Sequence, residues 1–101
     1  MSSEGTLSVR SVVRISDDAI SSRLADEVVI LNLRSGVYHG LDAVGSRVWE
    51  LVQEPATVFS VRDALLDEYD VDPQRCEDDL LALFEELKAH GLLEVGADAA
   101  G

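Results

Sequence analysis

The spacing of apolar residues changes once along this chain, and that change limits the folds open to it. Before Leu41, apolar residues tend to alternate with polar ones, as between Val9 and Ile15. After Asp42 they recur about every 3.6 positions, the repeat of an amphipathic helix, whereas a repeat of two is typical of a half-buried strand. The sequence therefore predicts an α+β domain in which strands precede helices.

Three strands are predicted in the first part of the chain. The first spans Val9 to Ile15, and the other two, Glu27 to Leu33 and Val37 to Leu41, form a β-hairpin. Its turn ends at Gly36, which can take a positive φ. The polar stretch from residue 16 to 26 is predicted to be a loop. Three strands make one antiparallel sheet with two edges, and an uncovered edge offers unpaired N–H and C=O groups.

Two shorter helices are predicted next. Asp42 is the expected N-cap of the first, and Pro55 follows its end. Ser60 is the expected N-cap of the second, with Asp63 favouring its N-terminal dipole. The apolar faces are predicted to comprise Val44, Val48, Leu51 and Val52 in the first helix, with Trp49 in the core, and Val61, Ala64, Leu65 and Leu66 in the second.

The third helix is predicted to be the longest. Asp72 is its expected cap, Pro73 occupies the first helical position, and Gly91 is a natural stop after His90. Its apolar stripe comprises Cys76, Leu80, Leu83, Phe84 and Leu87. Together with the sheet, the three helices predict a winged helix-turn-helix-like arrangement, a three-stranded antiparallel sheet followed by three α-helices.

The length and charge of the chain limit its partners. With 101 residues, a single domain is expected over 9–95, with flexible ends at 1–8 and 96–101. Twenty acidic residues face eight basic ones, giving a formal net charge of −12. Such a surface repels phosphate groups, so the sequence argues against nucleic-acid or anionic-membrane binding. A peptide or protein partner, one with basic segments, fits this charge better.

The compartment is predicted from what the sequence lacks. Residues 1–5 are polar and hold no apolar signal core, and no apolar run approaches the length of a membrane span. The single cysteine, Cys76, cannot form an intramolecular disulfide. These features predict a cytoplasmic protein.

No arrangement of residues in the sequence is typical of an active site. His39 and His90 lie in different predicted elements, without the spacing of metal ligands. Cys76 falls on an apolar stripe and is followed by Glu77, Asp78 and Asp79, which disfavour a thiolate nucleophile. The glycines match neither of the common phosphate-binding loops. The sequence thus predicts no catalytic residue, no metal site and no cofactor.

The order of elements resembles a known family. The stretch LNLRSGVYHGLDAVGSRVWELV is followed by VRDALLDEYDV and CEDDLLALFEELKAHGLLEV. This pattern, which covers 9–95, resembles the PqqD-like family of precursor-peptide recognition elements, most of all the stand-alone members of lasso-peptide biosynthesis. The resemblance implies a non-catalytic protein that binds the leader region of a ribosomally made precursor peptide. It also implies presentation of the leader to a cysteine protease that removes it, and a separate ATP-dependent macrolactam cyclase.

The resemblance further implies a binding groove between the third strand and the third helix, with the leader added as an antiparallel strand. Main-chain bonds along the strand would give affinity, and side-chain pockets would give selectivity. Gly40 would let another backbone approach, and Asp79 would meet a polar or basic leader residue. The predicted contact residues are Val37, Tyr38, His39, Gly40, Asp79, Leu80, Leu83, Phe84 and Leu87. The last four also form the core stripe of the third helix, and about two of them are expected to line the groove.

Two other functions stay open at this point. The same carrier type serves other modification enzymes, such as radical SAM enzymes. A winged-helix transcription regulator would place its third helix in the DNA major groove. The acidic residues of that helix argue against the second alternative.

Overall fold

The computed structural model describes residues 7–98, which form two small antiparallel sheets and three helices. The strands are β1 (Ser11–Ile15), β2 (Ala19–Leu24), β3 (Glu27–Asn32), β4 (Tyr38–Leu41), β5 (Ala56–Thr57) and β6 (Leu93–Asp98). The helices are α1 (Ala43–Leu51), α2 (Val58–Glu68) and α3 (Pro73–Ala89). The α+β class and the three helices predicted from the sequence are confirmed, and the winged-helix-like arrangement is compatible with this order.

The first sheet has the strand order β2-β3-β4 and contains the predicted hairpin. Gly36 in its turn has a φ of 74°, as expected. The predicted loop from 16 to 26 is wrong, because β2 pairs along its whole length with β3, from Ala19–Asn32 to Leu24–Glu27. Most of β2 is exposed, so it carries no alternation of apolar and polar residues that would mark it as a strand.

The second sheet has the order β5-β1-β6. The sequence placed β1 in one sheet with the hairpin, but β1 pairs instead with β5 and with β6 near the end of the chain. The partner of a strand depends on contacts between distant segments, which local periodicity does not encode. β6 continues to Asp98, beyond the boundary predicted at Val95. Of the flexible ends predicted at 1–8 and 96–101, residues 1–6 and 99–101 lie outside the described residues.

The helix caps agree with the sequence in two of three cases. Asp42 and Asp72 cap α1 and α3, each accepting a hydrogen bond from the backbone N–H three residues later. The predicted cap Ser60 is wrong, since Thr57 caps α2 and accepts the Ser60 N–H at 3.3 Å. Ser60 also donates its hydroxyl to the Thr57 carbonyl at 2.9 Å. Helix α2 therefore begins at Val58, one turn earlier than predicted.

The C-terminal end of α3 is tied to the β3–β4 hairpin. Gly91 takes a φ of 74°, and the N–H groups of Gly91 and Leu92 donate to the carbonyls of Lys88 and Leu87. This pattern is the Schellman motif that a glycine after a helix permits. The buried Asn32 side chain donates to the His90 carbonyl at 2.7 Å and accepts the Arg34 N–H at 2.9 Å. One side chain thus holds both the hairpin turn and the helix end.

Replacing Gly91 with alanine is expected to destabilise the fold through two effects. A Cβ atom at this position would lie 3.0 Å from Asn32 Nδ2 and would force the positive φ on a residue that disfavours it. We expect Gly91→Ala to lower the free energy of unfolding by about 2 kcal/mol or more. Gly36→Ala is the matched control, with the same φ of 74° but no atom within 4 Å, and should cost about 1 kcal/mol. Urea denaturation measures both, and equal losses would mean that the Asn32 contact contributes nothing.

The core lies between the sheets and the helices. Its largest fully buried side chains include Ile30, Phe84, Leu87 and Leu92, and Trp49 is buried as predicted. Two ion pairs on the surface join the helices: Arg47 binds Glu68 between α1 and α2, and Arg62 binds Glu77 between α2 and α3. Within 7–98, no helix combines the length and hydropathy needed to cross a membrane.

Candidate functional site: an open strand edge beside a groove

Strand β4 lies at an edge of its sheet. It pairs with β3 on one side, and on the other side no strand within 7–98 pairs with it. The Asn32 N–H donates to the Val37 carbonyl at 3.0 Å, so this pair is hydrogen-bonded. Bonded and non-bonded pairs alternate along an antiparallel ladder. The N–H and C=O groups of Tyr38 and Gly40 therefore point away from β3, toward the open edge.

The inner end of β4 is closed by a side chain from α1. The buried Ser46 hydroxyl accepts the Val28 N–H at 2.8 Å and donates to the Leu41 carbonyl at 3.3 Å. The hydroxyl thus bridges the last pair of the ladder and fixes the start of α1 against the sheet. β4 is therefore a short strand that is anchored at Leu41 and has one edge with which no strand within 7–98 pairs.

Gly40 keeps this edge clear of side-chain atoms. A Cβ atom added there would meet nothing within 4 Å, and Gly40 does not have a positive φ. The fold therefore does not require glycine at this position. The space beside its backbone is available to another chain.

A groove runs between β4 and α3 and continues along α3. Its central cavity, ≈ 450 Å³, is bordered by His39, Gly40, Leu41, Asp42, Val44, Gly45, Asp79, Leu83 and Glu86. A second, the hairpin cavity of ≈ 260 Å³, shares His39 with it and reaches Val37, His90 and Leu92. A third, the apolar cavity of ≈ 240 Å³, shares Val44, Asp79 and Leu83 with the central one. Shared lining residues connect the three cavities, and the central and hairpin cavities lie beside the open edge.

The apolar cavity lies where all three helices meet. Its walls are mostly aliphatic and aromatic, with Val44 and Val48 from α1, Leu65 from α2, and Leu80 and Leu83 from α3. Tyr69 and Val71, in the segment between α2 and α3, complete the rim. A cavity of this size and lining suits one large apolar side chain of a bound peptide.

The central cavity carries acidic side chains. Asp42, Asp79 and Glu86 border it, and no Lys or Arg is among the described residues around it. The Asp42 carboxylate already accepts the cap hydrogen bond of α1. Asp79, by contrast, is exposed, and its contact with the Arg75 guanidinium is long, at 4.0 Å. These charges favour a partner with a basic residue at this point.

His39 lies at the junction of the central and hairpin cavities, facing α3. Its side chain is mostly buried, 18% exposed, with Nε2 3.4 Å from Glu86 Oε2. Its ring is 5.0 Å from the His90 ring, centroid to centroid. The sequence placed these histidines in unrelated elements, and only the tertiary structure, which sets β4 beside the end of α3, brings them together.

Cys76 lies in the apolar cavity in a setting that suppresses its reactivity. Burial raises the pKa of its thiol, and the nearby Asp79 carboxylate raises this pKa further. The thiolate is the reactive form, so this environment is opposite to that of a catalytic cysteine.

We expect Cys76 to react with iodoacetamide more slowly than a free cysteine peptide at pH 8. Because the pKa of Cys76 is raised, its rate should continue to increase at pH values where the free peptide has reached its plateau. Mass spectrometry of the intact protein over time measures the rate. The same protein unfolded in urea is the control, and a rate in the folded protein equal to that control would contradict the assigned environment.

The structure places most of the predicted contact residues along this groove. Val37, His39, Gly40, Asp79, Leu80 and Leu83 border the cavities, and Tyr38, 69% exposed, lies on the open edge. Phe84 and Leu87 are fully buried in the core, because the stripe of α3 that contains them faces the sheets. Neither Phe84 nor Leu87 borders the three cavities.

The sequence missed several residues that border the groove. Val44 was assigned to the buried face of α1 but is 47% exposed and lies between the central and apolar cavities. Glu86 was not among the predicted contact residues, although it borders the central cavity. Helical spacing was the available signal. Leu83 follows Asp79 by four positions and Glu86 follows Leu83 by three, so all three lie on one side of α3.

Together, the fold and the site define a small α+β domain with an open strand edge beside a groove of peptide dimensions. A family model described as coenzyme PQQ synthesis protein D (PqqD) matches residues 27–93, from β3 to the start of β6. The chain belongs to the PqqD family. A comparison with curated proteins gave no match.

Two solved structures share this fold. The first is TbiB1 in complex with the TbiA(beta) leader peptide, with 45% sequence identity and a TM-score of 0.78, covering 84% of this chain and 99% of that one. The second is lasso peptide synthetase B1 complexed with the leader peptide, with 24% identity and a TM-score of 0.74, covering 81% and 96%. At its level of identity, the second likeness shows the fold alone.

Proposed function

We propose that this domain binds the leader region of a ribosomally synthesised precursor peptide and presents it to a leader peptidase of the cysteine protease type in lasso-peptide biosynthesis. It does so without catalysing a reaction itself. The observation that carries this proposal is the free edge of β4, with Tyr38 and Gly40 turned outward beside a continuous groove. The likeness to TbiB1, whose structure contains a leader peptide, supports it.

In this proposal the leader adds a strand antiparallel to β4. The N–H and C=O groups of Tyr38 and Gly40 provide up to four main-chain hydrogen bonds in the alternate pattern of an antiparallel ladder. These bonds are independent of sequence, so they provide affinity and fix the register. Selectivity is left to the side chains that lie beside the edge.

Two pockets would provide this selectivity. The apolar cavity takes a large apolar or aromatic leader residue, and its position between α1 and α3 sets the distance of that residue from the added strand. The central cavity, with Asp79 and Glu86, takes a basic residue. A rise in salt concentration should weaken the second contact much more than the first.

The experiment that tests the proposal is a fluorescence-anisotropy titration with the labelled leader peptide encoded beside this protein. A scrambled leader is the control for sequence dependence. Leaders N-methylated at one backbone position at a time then test strand addition, because affinity should fall at every second position only. Saturable binding without this alternation would keep the leader function and reject the strand mode, and no binding would reject both.

Substitutions in β4 of the protein also test strand addition. Tyr38→Pro deletes an N–H that faces outward, so we expect the affinity for the leader to fall about tenfold while the fold persists. His39→Pro is the matched comparison: its N–H points toward β3, so that change should destabilise the sheet. Circular dichroism reports the fold and anisotropy the affinity. Unaltered leader affinity in folded Tyr38→Pro would contradict the assigned edge.

Presentation to the protease is tested by reconstitution. The precursor peptide is incubated with the peptidase of the same pathway, with and without this domain, and cleavage is followed by mass spectrometry. Cleavage that depends on the domain supports a carrier role in a lasso pathway. A domain that binds leader but leaves cleavage unchanged would point to another modification enzyme, such as a radical SAM enzyme, as its partner.

A further inference from the structure

Three side chains with metal-ligating atoms meet at one end of the groove. His39 comes from β4, Glu86 from the last turns of α3, and His90 from the cap of that helix. Their ligand atoms all lie within 4.8 Å of one another, and His39 Nε2 is 3.4 Å from Glu86 Oε2. Two imidazoles and one carboxylate thus converge from two separate elements.

This geometry is close to that of a tetrahedral metal site. Ligand bonds of about 2.1 Å at tetrahedral angles place neighbouring ligand atoms about 3.4 Å apart. The His39–Glu86 distance already has this value. Glu86 and His90 are exposed, so side-chain rotation can bring the third ligand atom within the same range.

Neighbouring residues restrict the positions of His39 and His90. The His39 side chain is mostly buried, which limits the movement of its ring, and the pairing of β4 with β3 fixes its backbone. The backbone of His90 is fixed by the bond from Asn32 Nδ2 to its carbonyl and by the Schellman motif that follows. A site with ligands on fixed backbone loses little entropy when an ion binds.

The ligand types select the kind of ion. Nitrogen ligands favour first-row transition ions, whereas Mg²⁺ and Ca²⁺ require oxygen ligands. A His₂Glu set is a known zinc arrangement that uses three protein ligands and leaves the fourth position to water or another group. We propose that His39, Glu86 and His90 form a binding site for a divalent transition-metal ion of the zinc class. His39 and Glu86 also border the central cavity, so an ion there would compete with a basic leader residue for Glu86 and would join β4 to the end of α3. Metal binding is tested without a leader peptide, so its outcome does not depend on leader binding.

The test uses the full chain without an affinity tag, titrated with Co²⁺ and with Zn²⁺. We expect one ion per chain, with the visible absorption bands of tetrahedral Co²⁺ that Zn²⁺ then displaces. Glu86→Gln and His90→Gln should each lower the affinity by at least about tenfold. Glu85→Gln, the neighbouring acid on α3, is the matched control and should leave it unchanged.

A second control addresses the thiol. Cys76 lies ten residues before Glu86, roughly 15 Å away along the axis of α3, so Cys76→Ser should bind the ion as the unaltered protein does. Loss of binding in Cys76→Ser would overturn the proposal. Equal affinity in the unaltered protein and in folded Glu86→Gln and His90→Gln, or no saturable binding at all, would overturn it as well.

Discussion

Leu83→Glu is expected to lower the affinity for the leader peptide by at least about 30-fold while the domain stays folded. Leu83, like Val44 and Asp79, borders both the central and the apolar cavity, so it would contact a bound peptide in either. It is only partly buried, which allows a carboxylate at this position to remain hydrated in the free protein. An apolar leader residue in the apolar cavity would strip water from that charge without supplying a partner.

Ala82→Glu is the matched control for this substitution. Ala82 is the preceding residue of α3, is exposed, and borders none of the three cavities. The same charge is therefore added to the same helix, outside the groove. Anisotropy titrations of both variants measure the difference. If the two variants lose affinity equally, net charge rather than the groove determines binding.

Phe84→Ala is expected to lower the stability of the domain strongly and to change its affinity for the leader little. Phe84 is fully buried, and removal of such a ring leaves a cavity in the core. We expect the free energy of unfolding to fall by about 3–5 kcal/mol, a large part of the stability of a domain of this size. The folded fraction should keep most of its affinity for the leader, because Phe84 does not reach the groove surface.

Urea denaturation measures this loss, and Leu83→Ala is the comparison. The alanine change at the half-buried Leu83 should cost less stability than that at Phe84 but more affinity. Two adjacent residues of α3 would then separate the core of the domain from its binding surface. A folded Phe84→Ala protein with strongly weakened binding would return Phe84 to the contact residues.

Much of the fold is encoded by features that act locally. Asp42 and Asp72 accept N–H groups of their own helices, Gly36 and Gly91 supply the positive φ at a turn and at a helix end, and Pro73 opens α3. Each feature involves residues within a few positions of one another. The sequence therefore predicts these elements and their boundaries well.

The errors arose where local signals were weak or ambiguous. Strand β2 is exposed and polar, so backbone pairing with β3 makes it a strand without any apolar pattern. At the start of α2, Thr57 and Ser60 are both good caps, and Thr57 is favoured because it also pairs with Val12 as part of β5. Contacts outside each segment decided both cases.

By itself, the sequence determined the α+β class, the three helices, the hairpin and the acidic surface, because periodicity, caps and composition depend on neighbouring residues alone. Only the tertiary structure decided which strands share a sheet and which residues of α3 face the groove. In this structure Phe84 and Leu87 lie in the core, whereas Leu83 lies beside the open edge. It also brought His39 to Glu86 and His90, because β4 and the end of α3 are distant in sequence and become neighbours only in the fold.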